Sequence, residues 1–291
     1  MIYSVFMNEF VQNNESLIRL SFFLGVFFIM ALWEIKAPRR VLNISKAVRW
    51  TNNLGLVVLN TVVLRLLFPM AGVGMAAFAT SHGWGVFNHF DVPFVMALLV
   101  SVILLDMAIY LQHVMFHAVP ILWRLHRVHH VDLDIDVTTG ARFHPIEIIL
   151  SMGIKFAVIC VLGPPLVAVI IFEILLNATA MFNHSNVKLP IPLDRLIRLL
   201  FVTPDMHRVH HSTEIDETNS NFGFNLSIWD RLMGTYRAQP RFGHEGMTIG
   251  INTFTNPSQC AWLPGMLTLP FNKRIGNYAI NRTPSEKKTK D

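Results

Sequence analysis

The pentapeptide HRVHH occurs twice, at 126–130 and again at 207–211, and the first copy follows His113 and His117 by a few residues. No other feature constrains the fold as strongly. On a helix, residues three and four apart share a face, so His113 would stand beside His117, and His126 would meet His129 and His130. Neutral imidazole is the commonest protein ligand for zinc, copper, iron and nickel, so imidazoles stacked on one face are a metal half-site. His207, His210 and His211 offer another. These eight histidines exceed what one four-coordinate ion can use, and two ions are the economical reading. Surface histidines rarely recur at helical spacing in three places, which weighs against a decorative role.

The composition puts this site in a membrane protein. Over 291 residues, hydrophobic side chains make up 52% and charged ones only 15%, well below the charge of a soluble domain. Two cysteines exclude a disulfide framework or a cysteine-rich zinc site, and no CxxCH is present to attach haem. Cys160, in an apolar run, reads as a small core residue.

In chain order, the first fifteen residues carry no basic run ahead of the apolar stretch, so no cleaved signal peptide is expected. Residues 17–35 are long enough to cross roughly 30 Å of hydrocarbon. The loop that follows holds Lys36, Arg39, Arg40, Lys46 and Arg49, which the positive-inside rule assigns to the cytoplasm. A second apolar stretch, about 53–79, is interrupted by Arg65, a costly residue within hydrocarbon unless it snorkels. The loop 81–91 contains His82, Trp84 and His89 but no lysine or arginine, and fits the opposite side. Residues 94–110 return through the membrane, and Asp106, Tyr110, His113 and His117 continue as one polar stripe.

Pro120 should end or kink that helix, and a new helix is expected to carry WRLHRVHH. Residues 132–147, DLDIDVTTGARFHPIE, read as polar and extended, with Pro145 disfavouring helix at His144. The apolar residues 146–183 are too many for one span, and Gly163-Pro164-Pro165 marks a hairpin in which Lys155 and Glu173 could face each other. This arrangement puts the histidines at 113–130, His144, His184 and those at 207–211 on one side. His82, His89 and His244 read as surface or interface residues. The section after His184, with Arg195 and Arg198 among leucines, is expected along the membrane surface, where the net charge of +5 would favour anionic headgroups. The charge is spread out with no binding motif, so nucleic acid is not an expected partner. From about Lys273 the tail is polar, and disorder is expected.

The fold class is therefore all-α, an integral membrane helical bundle of about four to five membrane segments with a cytoplasmic, histidine-rich helical cap. The expected organisation is N-terminal membrane segments (1–93), a catalytic domain (94–240) including the hairpin 146–183, and a C-terminal extension (241–291).

DMAIYLQHVMFH, HRVHH, RFHPIE, NHSN, MHRVHH and NFGFNLSIWDRLMGTY, in that order between Asp106 and Tyr236, resemble the fatty acid hydroxylase superfamily of membrane di-iron enzymes, also called the sterol desaturase family. The histidine boxes show no departure from its pattern; the segments before Asp106 carry no family signal. The resemblance implies a non-haem centre of two iron ions that activates O2 to hydroxylate or desaturate a lipid such as a sterol or fatty acyl chain. It implies His113, His117, His126, His129, His130, His184, His207, His210 and His211 as ligands, with His144 as a further candidate whose alternative is a structural hydrogen bond. Asp106 and Glu147 are candidates to orient imidazole N–H groups. With no dinucleotide fingerprint, haem motif or cysteine cluster, electrons are expected from a separate ferredoxin- or cytochrome-type protein. A bacterial inner membrane is the expected location. The alternative function is a membrane metal-binding or metal-transport protein; that would carry ligands midway along its spans, whereas these lie beyond the helix ends.

Overall fold

A computed structural model describes residues 2–274 and 276–281, with side chains from residue 9 onward; among them there are helices and isolated bridges but no strands. The order begins with α1 (Ile2–Lys36), α2 (Lys46–Leu67), α3 (Gly72–Ser81), α4 (Val86–His89) and α5 (Phe94–Ala118). It continues with α6 (Pro120–His130), α7 (Pro145–Leu162), α8 (Leu166–His184), α9 (Ile191–Ile197) and α10 (Pro204–His210). The short α11 (Ile215–Thr218) and α12 (Ile228–Leu232) follow, before a C-terminal section of single turns. Five stretches are long and apolar enough to cross a membrane: Glu9–Lys36, Lys46–His89, Phe94–Ala118, Pro145–Leu162 and Leu166–His184. Leu17, Phe28, Ile29, Leu66, Val95 and Val161 on their outer faces are exposed, as expected of helices whose solvent is lipid. The chain is an integral membrane protein.

The α7–α8 hairpin turns where the sequence places it. Pro145 starts α7 and the imidazole of His144 caps it, accepting from the Ile146 N–H at 3.2 Å. Gly163 ends α7 with φ +62°, a left-handed conformation that favours glycine, and Pro165 precedes α8. Lys155 and Glu173 then face each other, Nζ to Oε1, at 2.7 Å. Pro120 likewise separates α5 from α6. Val73, Leu105, Ile159, Val169 and Phe172 pack α3, α5, α7 and α8 together, while Trp123, Val128, Ile251, Met266 and Tyr278 form a second core under the cap. The C-terminal ends of α5 and α8, the N-terminal end of α7, and α6 and α10 all meet at one end of the bundle, and that end holds the histidines.

The second apolar stretch, expected to be interrupted, runs through α2 and α3 with a break at residues 68–71, which include Pro69, and Arg65 lies exposed in the last turn of α2. Three expectations are corrected. Arg49 is not a loop cation. It lies inside α2, fully buried, with Nε and Nη2 donating to Asp132 at 3.1 and 2.7 Å and Nη1 paired with Asp136. Consequently residues 132–142 are a buried, hydrogen-bonded segment with a 3-10 turn at Thr139–Ala141, not an extended polar stretch: Asp132 and Asp136 turn inward to Arg49 and Arg142, while Asp134 accepts from Asn43 and the Ile44 N–H. Burial pushes the Asp132 carboxyl up, but the two guanidiniums outweigh it and hold it below the usual range. Of the tail beyond Lys273, expected to be disordered, residues 276–281 are held against the rest of the chain. Tyr278 is buried against Trp123, and the backbone N–H groups of Ile280 and Asn281 donate to His117 O and Ala118 O. Residues 282–291 lie outside the described residues.

Candidate metal centre

Nine histidines meet in two buried groups. His113, His117, His126, His130 and His210 form one; His129, His184, His207 and His211 form the other; within each, one potential ligand atom per residue lies within 4.8 Å of all the rest. The assembly follows from helix geometry. Residues four apart in each helical box go to the same group, His113 with His117 on α5 and His126 with His130 on α6. The second pentapeptide contributes crosswise: His207 and His211 join the four-histidine group, and His210 crosses to the five. Each HRVHH copy therefore gives its outer pair to one group and its fourth residue to the other. Its arginine and valine anchor it. Val128 and Val209 are fully buried; Arg127 donates to Leu269 O and Asn272 O, and Arg208 pairs with Asp205.

The donor set fits metal cations. His113 Nδ1 donates to Phe222 O at 2.7 Å, His117 Nδ1 to Asn219 Oδ1 at 3.1 Å, His126 Nδ1 to Glu147 Oε1 at 2.6 Å, His184 Nδ1 to Ala180 O at 2.7 Å and His210 Nδ1 to Ser220 O at 2.7 Å. An oxygen of this kind only accepts, so these rings keep a bare lone pair on Nε2. Those lone pairs point at other imidazoles. His113 Nε2 lies 3.1 Å from that of His126 and 3.0 Å from that of His210, and His117 meets His130 at 3.1 Å. His184 Nε2 lies 3.1 and 3.0 Å from those of His129 and His207. None of these rings is held as an imidazolium: burial drives His126 down to about 3, and burial followed by neighbouring imidazoles drives His129, His130, His207, His210 and His211 well below their ordinary value. Converging neutral imidazoles, five of the nine with the outer nitrogen held by an oxygen and His129, His130, His207 and His211 without such a partner, are an arrangement a transition-metal ion satisfies.

A second layer fixes the rings. Asp230 accepts from the Phe222 and Gly223 N–H groups at 2.7 and 2.9 Å, which sets the carbonyl that receives His113. Asn221, at φ 51°, makes the turn, a conformation asparagine tolerates. Gly140 packs so closely that a Cβ there would stand 2.5 Å from Ala180 O and 3.2 Å from His184 Nδ1. Glu147 orients an imidazole as expected. Asp106 touches none of the histidines; it accepts from Trp229 Nε1 at 2.8 Å and from the Leu226 N–H at 3.3 Å, tying residues 226–229 to α5. Asn219 is a ring partner that no local motif announced.

The structure does not bring His144 to either group: it caps α7, and its Nε2 lies 3.3 Å from Leu267 O. His82 and His89 are exposed and bonded to their own backbones, as expected. His244 is buried instead, 3.6 Å from Asp205, where burial pushes it down to about 4.

A cavity of about 270 Å³ opens beside His113 and His126 and runs between α1, α2, α5, α7 and α8. Its walls include Phe23, Leu64, Ile109, Phe116, Leu176 and Phe224. It borders the five-histidine group and has the apolar lining of a lipid pocket.

The fold and the site define a membrane helical bundle with two buried histidine groups able to hold metal ions at one end, beside an apolar cavity. Residues 98–235 match the sequence model of the fatty acid hydroxylase family. The chain is 30% identical over 223 residues to the ornithine lipid hydroxylase OlsE of Rhizobium tropici, covering 75% of this chain and 63% of that protein. It is 30% identical over 149 residues to human alkylglycerol monooxygenase (51% and 32% covered) and 25% identical over 143 residues to human cholesterol 25-hydroxylase (48% and 51%). The chain thus spans about a third to just under two thirds of these relatives. No solved structure gives a significant match. By name the matched relatives are lipid oxygenases, and they lend nothing to the metal-transport alternative.

Proposed function

We propose that this protein is a membrane-bound, non-haem di-iron oxygenase that uses O2 to hydroxylate a lipid. The observation that carries the reading is the pair of buried groups of five and four neutral imidazoles beside an apolar cavity. His113, His117, His126, His130 and His210 would hold one iron and His129, His184, His207 and His211 the other, with His144 structural. Iron bound by these residues would supply the activation of O2 that an unactivated C–H bond requires and no side chain can provide. The chain's own residues do the rest. Glu147 and the carbonyls of Phe222, Ala180 and Ser220 keep the Nδ1 protons in place and aim the Nε2 atoms inward. Phe116 and Phe224 wall the reacting end of the cavity, exclude water and hold the lipid carbon near the site.

The sequence carries no redox-cofactor motif, which supports a separate electron donor of the ferredoxin or cytochrome type. The basic loop 36–46 lies at the histidine end of the bundle, which supports a cytoplasmic site in a bacterial inner membrane. The names of the matched relatives support an ornithine lipid, an alkylglycerol or a sterol as substrate, and hydroxylation over desaturation. The test is turnover in nanodiscs with iron, a ferredoxin-type donor and isotopically labelled O2 across these lipids. One labelled oxygen atom in a lipid product is the expected result; metal-dependent vectorial transport in vesicles, with no labelled product from fully iron-loaded protein, would overturn the proposal.

A further inference from the structure

The cavity has a second polar end. On α7, Glu147 touches His126, and Ser151 and Lys155 follow on the same cavity-lining face at successive turns. On α8, Ala180, Asn177 and Glu173 line the cavity below His184. At 1.5 Å rise per residue, Lys155 stands about 12 Å along α7 from Glu147, and Glu173 about 16 Å along α8 from His184. Glu173 is buried. Its Oε1 accepts from Lys155 at 2.7 Å, while its Oε2, 3.2 Å from Arg19 Nη1, has no hydrogen-bond partner among the described residues. Gly72 backs the carboxylate closely: a Cβ there would stand 2.7 Å from Oε1. Asn60 adds a second buried acceptor on the cavity wall whose Oδ1 is unpartnered.

We propose that Arg19, Lys155 and Glu173 form the polar-group subsite of this cavity. The substrate is then a long amphiphile whose uncharged hydrogen-bonding group, such as a hydroxyl, docks there while a carbon about 12–16 Å away reaches the histidines. The charges argue for a neutral group. Arg19 and Lys155 are balanced by Glu173 and by Glu15, 3.1 Å from Arg19, so an added charge would be left unpaired away from water. A purely structural ion cluster would tie α1, α7 and α8 together equally well from outside the cavity. This one is set into the cavity wall, where Arg19, Lys155 and Glu173 all line the space a ligand would fill.

The inference deepens the lipid-oxygenase reading and rests on it, and its test separates the two. Binding of primary alkanols from decanol to hexadecanol and of the matching n-alkanes is measured on metal-free full-length protein in nanodiscs by native mass spectrometry. Alkanols should bind about tenfold more tightly than alkanes, the worth of one hydrogen bond. Lys155→Met with Glu173→Gln, which removes both charges together, should abolish that preference, and Lys155→Arg should keep it. In the iron-loaded protein the new oxygen should stand at one fixed separation from the alkanol hydroxyl, and in the double variant at several. Equal binding of alkanol and alkane by the unaltered protein would overturn the subsite. So would a double variant that keeps both the preference and the fixed position, as a structural role alone predicts. An alkanol preference in protein that oxidises no lipid would sustain the subsite and defeat the oxygenase reading.

Discussion

Glu147, at the start of α7, accepts the Nδ1 proton of His126 at 2.6 Å, and no other carboxylate among the described residues lies within salt-bridge distance of a proposed ligand. The contact fixes the His126 tautomer and aims its Nε2 at His113. Glu147→Ala should weaken metal binding to the five-histidine group roughly 10–100-fold, the usual cost of losing such a partner. Glu147→Gln, which keeps an acceptor oxygen, should lose much less. Metal titration of the apoprotein reads both, and equal affinity for Ala and wild type would remove Glu147 from the site.

Arg49 and Asp132, far apart in sequence, hold the coil between α6 and α7 in place. Removing one partner of a buried pair leaves an uncompensated charge, at a cost of about 3–5 kcal/mol. Arg49→Met should therefore lower the melting temperature sharply. Arg49→Met with Asp132→Asn should recover part of the loss, a coupling that a double-mutant cycle measures directly.

Gly140 touches no proposed ligand atom closely enough to bond it, yet Gly140→Ala should disturb the four-histidine group. The added methyl would displace Ala180 O, which receives the His184 proton. The strain is about 1–3 kcal/mol, and the expected result is preferential loss of one metal. Equal loss of both would point to general unfolding instead.

Leu196, Leu199 and Leu232 are exposed on the platform made by α9 and α12. The two helices are tied together by Ser227 N–H donating to Leu200 O at 3.0 Å and by Arg231 donating to Arg198 O at 3.0 Å. Spin labels at these positions should be relaxed by lipid-soluble oxygen more than by an aqueous nickel chelate, as for a helix lying in the headgroup layer. The opposite order would put the platform in water.

Much of this was legible because it is local. Four-residue spacing pairs His113 with His117, and Gly163-Pro164-Pro165 closes a hairpin wherever it interrupts a long apolar run. The same hairpin dictates the Lys155–Glu173 pair. What stayed hidden depends on partners distant in sequence. Spacing places His129 beside His130 but does not say that they serve different groups, because that depends on where α8 and α10 approach α6. Arg49 read as a positive-inside cation because its partners, Asp132 and Asp136, lie more than eighty residues on. The alternating acids of DLDID were the one available signal: in a membrane chain with only 15% charged residues, clustered carboxylates need partners. His144 has the motif of a ligand, but Pro145 places it at a helix start, where its ring caps the backbone.

The central claim is two irons in two separate histidine groups. Protein purified anaerobically in detergent, together with His129→Ala and His210→Ala, should be measured for metal content and by Mössbauer spectroscopy after iron loading. Close to two irons per chain in mainly nitrogen environments is the predicted result, with His210→Ala depleting the five-histidine group and His129→Ala the four-histidine group. A single metal, or two zinc ions that persist when iron is supplied during expression, would contradict the account.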